Sequence, residues 1–254
     1  MTHTHDFANG RPCWIDISVT TTQERESLMA FFGELFGWTF EVGPEETGYY
    51  TTALLDGRPV CAIGQGPDGP GQWVTYLATD DIRATADRAA ELDGHVFMGP
   101  MQVMDVGWLA LGMDPLGALF GLWQKAEFAG FGSFGEPMAP CWFDHVSPSP
   151  QAAADFYAAL FGIAQRAMDD AGTAILGPGD GYASVSTAPE GGPAAWMPII
   201  AVTSVADTEA RAVALGATSL MSAMPVPGGI ASAFAAPGVG TVTLVYESPT
   251  PPAT

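Results

Sequence analysis

Asp16 and Asp144 are the residues whose type and setting point most directly to chemistry. Each closes a Pro-Cys-Trp-apolar-Asp string. The first is Pro12-Cys13-Trp14-Ile15-Asp16, and 128 residues later comes Pro140-Cys141-Trp142-Phe143-Asp144. A carboxylate on an otherwise apolar strand costs free energy unless a partner meets it. It can accept hydrogen bonds from ligand hydroxyls or pair with an amine. Desolvated beside aromatic rings, it would have a raised pKa and could act as a general acid or base. The structural alternative is a hydrogen bond from a backbone N–H where two units join. The other polar candidates are sparse. His3 and His5 stand at the N-terminus, and His95 follows the Asp93-Gly94 turn. His145 alternates with Asp144, points to the opposite strand face and reads as structural. Cys13 and Cys141 sit one residue off the face of the tryptophans and read as packing. Three cysteines in all suit a reducing cytoplasm better than a disulfide framework.

The chain of 254 residues carries a formal charge of −20 and a single lysine, Lys125. Phosphate affinity comes from Lys and Arg, so nucleic acid and anionic membranes are excluded as partners. The charge suits a cationic ligand, and it also suits simple solubility. No apolar run reaches the ~18 to 20 residues of a membrane span. The N-terminus lacks the basic and apolar regions of a signal peptide. A cytoplasmic location follows.

The repeated string belongs to a longer duplication. Alternation predicts a strand over 13–19. Thr21 and Glu24 are spaced as a capping box for a helix over 26–36 that Gly37 ends. Strands follow over 38–42, 49–55 and 60–63, with Asp56-Gly57 as a hairpin turn. A strand over 73–78, a helix over 82–92 and strands over 96–103, 108–112 and 119–124 complete the first half. The second half repeats this order: strand 142–146, helix 151–161, strands around 174 and 183–185, strand 196–202, helix 206–215, then strands 219–224, 230–235 and 241–246. Trp73 matches Trp196, Phe32 matches Tyr157, and Asp114-Pro115 matches Ala236-Pro237. Each half contains two βαβββ units, so the fold class is α+β with four such units in two tandem halves. The expected organisation is a flexible tail (1–10), a first domain (11–125), a linker (126–137), a second domain (138–247) and a flexible tail (248–254). The linker is rich in Gly and Phe, and its phenylalanines should pack on the body of the protein.

Several features taken in order carry a family resemblance. They are Phe-Phe/Tyr-x-x-Leu-Phe-Gly after the first strand, Asp80-Asp81-Ile82 after a Trp-led strand, a helix ending in Leu-x-Gly, and the run from Asp114 to Gln124. Together they resemble the vicinal oxygen chelate superfamily of glyoxalase I, bleomycin-resistance proteins and extradiol dioxygenases. The resemblance implies curved mixed sheets around a cavity in each half. It also implies that catalytic relatives place metal ligands at positions that here hold Trp14, Val74 and Gly121 in the first half, and Trp142, Met197 and Thr243 in the second. None is a usual ligand for a hard or borderline cation. A metal-free cup is therefore expected, with no cofactor. Its expected ligand-binding residues are Trp14, Tyr76, Trp108, Gly121, Trp142, Met197 and Thr243, and its candidate acid/base residues are Asp16 and Asp144. Gly121 in place of an acid should leave space. Inward tryptophans are also what a plain core would contain.

Such a cup suits a flat polycyclic ligand. The expected function is binding of a bulky aromatic, cationic or anthracycline-like natural product, in antibiotic resistance or biosynthesis. The alternative is a cofactor-independent cyclase or isomerase using Asp16 or Asp144. A metal-dependent lyase or dioxygenase and a ligand-free scaffold rank below these. Four units can complete the fold in one chain, so a monomer and a homodimer both fit.

Overall fold

The computed structural model describes residues 7–66, 71–166 and 172–248. The expected tails at 1–6 and 249–254, with His3 and His5, lie outside the described residues. Residues 7–10 belong to the packed body: Phe7 is buried, and the Gly10 N–H donates to the Ala78 carbonyl.

Four βαβββ units follow one another. The first is β1 (Pro12–Val19), α1 (Thr22–Phe36), β2 (Thr39–Val42), β3 (Thr51–Leu55) and β4 (Arg58–Gln65). The second is β5 (Trp73–Ala78), α2 (Ile82–Glu91), β6 (His95–Val103), β7 (Gly107–Met113) and β8 (Leu119–Lys125). The third is β9 (Pro140–Ser147), α3 (Pro150–Phe161), β10 (Gln165–Arg166), β11 (Ala174–Leu176) and β12 (Ala183–Thr187). The fourth is β13 (Ala195–Ala201), α4 (Val205–Ala214), β14 (Thr218–Val226), β15 (Gly229–Ala235) and β16 (Val242–Glu247). The strands form two mixed eight-stranded sheets, ordered β2-β3-β4-β1-β5-β8-β7-β6 and β10-β11-β12-β9-β13-β16-β15-β14. The α+β class and the tandem duplication are thus as expected. Among the described strands β10 went unrecognised in the sequence, because two residues carry no period.

The units of closest packing differ from the sequence halves. One comprises Met1–Trp14, Val74–Gly130 and Phe143–Met197. The other comprises Ile15–Trp73, Phe131–Trp142 and Pro198–Thr254. By their place along the sequence, the first is the inner unit and the second the outer unit. Each combines one βαβββ module from each half.

In the outer unit, α1 starts at a complete capping box. Thr21 Oγ1 accepts from the Glu24 N–H, and the Glu24 carboxylate accepts from the Thr20 and Thr21 N–H groups. The helix ends on Gly37 at φ 74°, a left-handed conformation that glycine adopts without a Cβ penalty. Its buried face carries Leu28, Phe31, Phe32, Leu35 and Phe36. Phe32 stacks on Phe36 and meets Trp38 and Trp73 at a tilt. Both indole N–H groups find backbone carbonyls, Trp38 on Met138 and Trp73 on Val242. Buried tryptophan demands such a partner. In the inner unit, α3 likewise ends on a left-handed Gly162 and buries Phe156, Tyr157, Leu160 and Phe161.

The capping box generates a stability prediction. Thr21→Ala should lower the unfolding free energy by about 1 kcal/mol in urea titrations followed by circular dichroism. A midpoint identical to that of the parent protein would show that the box contributes nothing.

Candidate functional site

Each four-stranded module has one face covered by its helix and one turned away from it. Burial alternates accordingly. In β9, Phe143, His145 and Ser147 are buried, whereas Trp142, Asp144 and Val146 are half-buried. β12 pairs in parallel with β9, Ser184 opposite Asp144 and Ser186 opposite Val146. β11 brings Ile175 opposite Ser184, and β10 brings Arg166 opposite Ile175. Arg166, Ile175, Ser184 and Asp144 therefore form one row across the uncovered face.

Asp144 is held by two hydroxyls. Ser184 Oγ donates to Oδ1 at 2.7 Å and Ser186 Oγ to Oδ2 at 2.5 Å. Burial pushes the Asp144 carboxyl above its ordinary range, against the pull of Ser186, Ser184 and the nearby His145. The corresponding carboxylate, Asp16, has a different setting in the outer unit. It is only 5% exposed and accepts from the Tyr50 hydroxyl at 3.2 Å. Ala62 stands opposite Asp16 and Gly64 opposite Ser18, the places of Ser184 and Ser186. The Tyr50 ring lies against Gly64, within van der Waals reach of a Cβ there. One copy covers its carboxylate with a phenol, and the other leaves it beside two serines.

The remaining expected residues are distributed as follows. Trp14, Tyr76, Gly121 and Met197 lie in the inner unit with Asp144, and so does Trp108. Trp142 and Thr243 lie in the outer unit with Asp16. Trp14 is buried, with its ring edge-on to Phe128 at 4.9 Å. Gly121 pairs with Tyr76, and a Cβ at Gly121 would run into the Tyr76 ring. The space expected at Gly121 is thus occupied by a side chain of the protein itself. Trp108 pairs with Gln124 and shares the helix-covered face with Ala110 and Leu122. It is Trp123, opposite Leu109, that shares the uncovered face with Gly121. Thr243 is 1% exposed and paired with the fully buried Phe234. The uncovered face carries Leu244 instead, opposite Ile199 as Gly121 is opposite Tyr76. The cause is one extra residue in the turn before β16: six residues separate β15 from β16, against five between β7 and β8. Met197 alternates with the buried Trp196 and Pro198 and is half-buried.

Beneath the Asp144 face lies a polar network that the sequence reading did not assemble. His145 Nε2 is 2.8 Å from Asp114 Oδ2. The Tyr157 hydroxyl donates to the same oxygen, and Trp196 Nε1 donates to Tyr157. Asp114 Oδ1 accepts from the N–H groups of Leu116 and Ala118. All four side chains are buried. Desolvation raises the Asp114 pKa, but His145 and the two backbone N–H groups outweigh it and hold the carboxyl below its ordinary value. An ionised Asp114 accepts, so His145 carries its proton on Nε2, and its Nδ1 has no partner among the described residues. The duplication contained a signal for this network. His145, Tyr157 and Asp114 replace Ile17, Phe32 and Ala236 of the other copy, three polar substitutions at once.

The donor chemistry does not fit a metal of the kind the fold is known for. Tyr76 fills the place at Gly121, and Leu244 occupies the corresponding place in the second half. No three His, Cys, Asp or Glu side chains converge among the described residues. The thiols are unsuited as ligands too: burial raises the pKa of Cys13 and Cys61, and that of Cys141 to about 12. A shallow cleft at the start of α2, edged by Asn9, Asp80, Asp81 and Arg88, contains none of the expected residues.

Comparison with known proteins adds a family context. No family profile matches the chain. CFP32 of Mycobacterium bovis, a glyoxylase by name, is 30% identical over 234 residues, covering 87% of this chain and 88% of its own. The anthracycline biosynthesis protein DnrV of Streptomyces peucetius is 35% identical over 175 residues, 62% of each chain. Among solved structures, the Mn(II)-bound glyoxalase of Novosphingobium aromaticivorans superposes with a TM-score of 0.65 at 16% identity, over 94% of this chain and 82% of that one. The 2,2',3-trihydroxybiphenyl 1,2-dioxygenase of Sphingomonas wittichii gives 0.66 at 14% identity, over 95% and 91%. These structural likenesses describe the fold.

The two carboxylates Asp114 and Asp144 should respond oppositely to removal of charge. Asp114 has a lowered folded pKa, so its contribution is present above the unfolded value of about 4 and is lost as pH falls through the folded value. Asp114→Asn should cost about 3 kcal/mol at neutral pH and flatten the acid limb of the stability curve. Asp144 has a raised folded pKa, so its contribution is present at acid pH and lost as pH rises through that value. Asp144→Asn should be neutral or stabilising at pH 7. Urea unfolding of both variants from pH 3 to pH 8 checks the pair, and equal losses at pH 7 would contradict the assignment.

Proposed function

Because the chain belongs to the vicinal oxygen chelate superfamily, we propose that it binds a small molecule without a metal, and that its ligand is a bulky aromatic natural product of the anthracycline type. Its setting is antibiotic biosynthesis or resistance, in the cytoplasm. The uncovered face of β9–β12 carries this reading. It offers a half-buried carboxylate, two serines and Ile175, a mixture of apolar contact area and a few polar anchors. The relative named for anthracycline biosynthesis supports the ligand class. The charge of −20 favours approach of a cationic ligand. No described helix is long and apolar enough to cross a membrane, and the cysteines are free.

A second reading rests on the raised pKa of Asp144. A carboxyl that holds its proton more firmly than usual can serve as a general acid or base, as a cofactor-independent cyclase or isomerase would require.

Titration of the seven tryptophans' fluorescence with a panel of neutral and cationic polycycles tests the binding reading. Saturable quenching by at least one aromatic polycycle, unchanged after treatment with a chelator, is expected. Absence of quenching across the panel, or its loss on chelation, would sink the reading. Mass spectrometry of the bound compound after incubation separates the two: an unaltered ligand supports a binder, a rearranged one the enzyme.

A further inference from the structure

In the outer unit, β14 is the terminal strand of its sheet, with β15 as its neighbour in the strand order. It is nine residues long and carries no charged side chain. Leu220 is 54% exposed and Met224 49%. A long, apolar, uncharged edge is a template on which a strand of another chain can pair. Two irregularities interrupt this one. Ser219 pairs with Phe234 and Met221 with Ala233, so Leu220 is an extra residue between them. Met224 then pairs with Ala231, so Ser222 and Ala223 share Ser232. The second bulge holds Ala223 at φ 42°, a left-handed conformation unfavourable to a residue with a Cβ.

One side chain of α4 reaches both bulges. Glu209 is 9% exposed. Its carboxylate accepts from Ser219 Oγ at 2.6 Å, Ser222 Oγ at 2.9 Å and Ser232 Oγ at 2.8 Å. Ser232 Oγ in turn accepts from the Ala223 N–H at 2.8 Å. The amide of the bulge is thus engaged within its own hairpin, at the end of a relay that runs through one hydroxyl to the carboxylate. Ser219 above all, with Ser232 and Ser222, holds the Glu209 carboxyl below its ordinary value against the cost of burial.

The inner unit has the same two bulges in β6, the terminal strand of the other sheet. Phe97 is extra between Val96 and Met98, and Gly99 and Pro100 share Ala110. The means differ. Ala86, Val96, Gly99 and Ala110 stand where the fourth module has Glu209, Ser219, Ser222 and Ser232. Gly99 takes the left-handed conformation at φ 80° without a Cβ penalty, and Pro100 has no N–H to offer. Two unrelated chemistries maintain one irregularity, as expected of a feature with a purpose rather than a defect.

We propose that Glu209 is an autoinhibitory clamp: by holding β14 bulged, it keeps that edge from pairing with the β14 of a second copy of the chain. The partner is a second copy because the strand is free of charge within a chain of −20. Two β14 strands side by side bring no like charges together, whereas most of the remaining surface repels its own kind. The clamp takes the place of the charge or proline that commonly guards the middle of an exposed edge. It operates whatever the protein binds.

Sedimentation velocity of the full chain across a range of concentrations tests this, with circular dichroism to establish that each variant is folded. Glu209→Ala should gain a concentration-dependent increase in mass over the parent. Ser232→Ala, which frees the Ala223 N–H and leaves the carboxylate two donors, should shift in the same direction. Hydrogen exchange at Ala223 should quicken by about tenfold in the dilute variants, the scale of one lost hydrogen bond. Adding Leu220→Lys, a charge on the edge itself, should return both variants to the parental mass, which it would not do for aggregation of unfolded chains. If Glu209→Ala does not fold, Ser232→Ala decides. Folded variants that keep the parental mass, association that Leu220→Lys leaves unchanged, or a parent whose own mass falls on Leu220→Lys would each overturn the clamp.

Discussion

The inner unit depends on one buried interaction, the ionised Asp114 accepting from His145 and Tyr157 while its second oxygen caps the turn at Leu116 and Ala118. A buried carboxylate is tolerated only when its lone pairs are met. Here four donors converge, one pair from the turn and one pair from β9 and α3. The network therefore fixes where the third module's strand and helix lie against the second module's turn. The outer unit solves the same packing problem with Ile17, Phe32 and Ala236, around a tryptophan, Trp73, that corresponds to Trp196. There the ring of Phe32 meets Trp73 at 6.2 Å, and in the polar copy Tyr157 meets Trp196 at 5.1 Å. Two chemistries thus support one backbone. The polar one is the more geometrically exacting, because hydrogen bonds are directional where apolar contacts are not.

That rigidity lies directly beneath Asp144. His145 is its neighbour in the chain and faces the network, so the strand that carries the carboxylate is anchored from its buried side. On the uncovered side the two copies part. A serine at 186 reaches the carboxylate itself, whereas glycine at 64 admits a tyrosine ring. Small changes at two positions decide whether a carboxylate is half-buried or part of the core. The same logic holds at Gly121, where the absence of a side chain made room for Tyr76 rather than for a ligand.

Most of the fold was legible in the sequence because its signals are local and doubled. The capping box at Thr21, the left-handed glycines at 37 and 162, and the alternation of β9 each act through nearest neighbours. The site was legible only in part. Asp144 could be placed on the correct face from alternation alone. Thr243 could not, because a single extra residue in the preceding turn inverts every later side chain, a property of period-2 structure. The fate of the Gly121 space was invisible because it depends on which large side chain across the sheet leans into it. The Asp114 network spans 43 residues from Asp114 to Tyr157, and no local pattern encodes such a distance.

The division of the modules between the packing units has a consequence for how the chain assembles. The inner unit draws almost entirely on the contiguous stretch from Val74 to Met197, so its modules find each other across short connections. The outer unit joins Ile15–Trp73 to Pro198–Thr254, and its closure must span the whole of the other. Loop-closure entropy and contact order both favour the contiguous unit forming first. During synthesis the first module, with the aromatic face of α1, waits for a partner that emerges last. The acidic composition that suits a cationic ligand would also keep that waiting module from associating with its own kind.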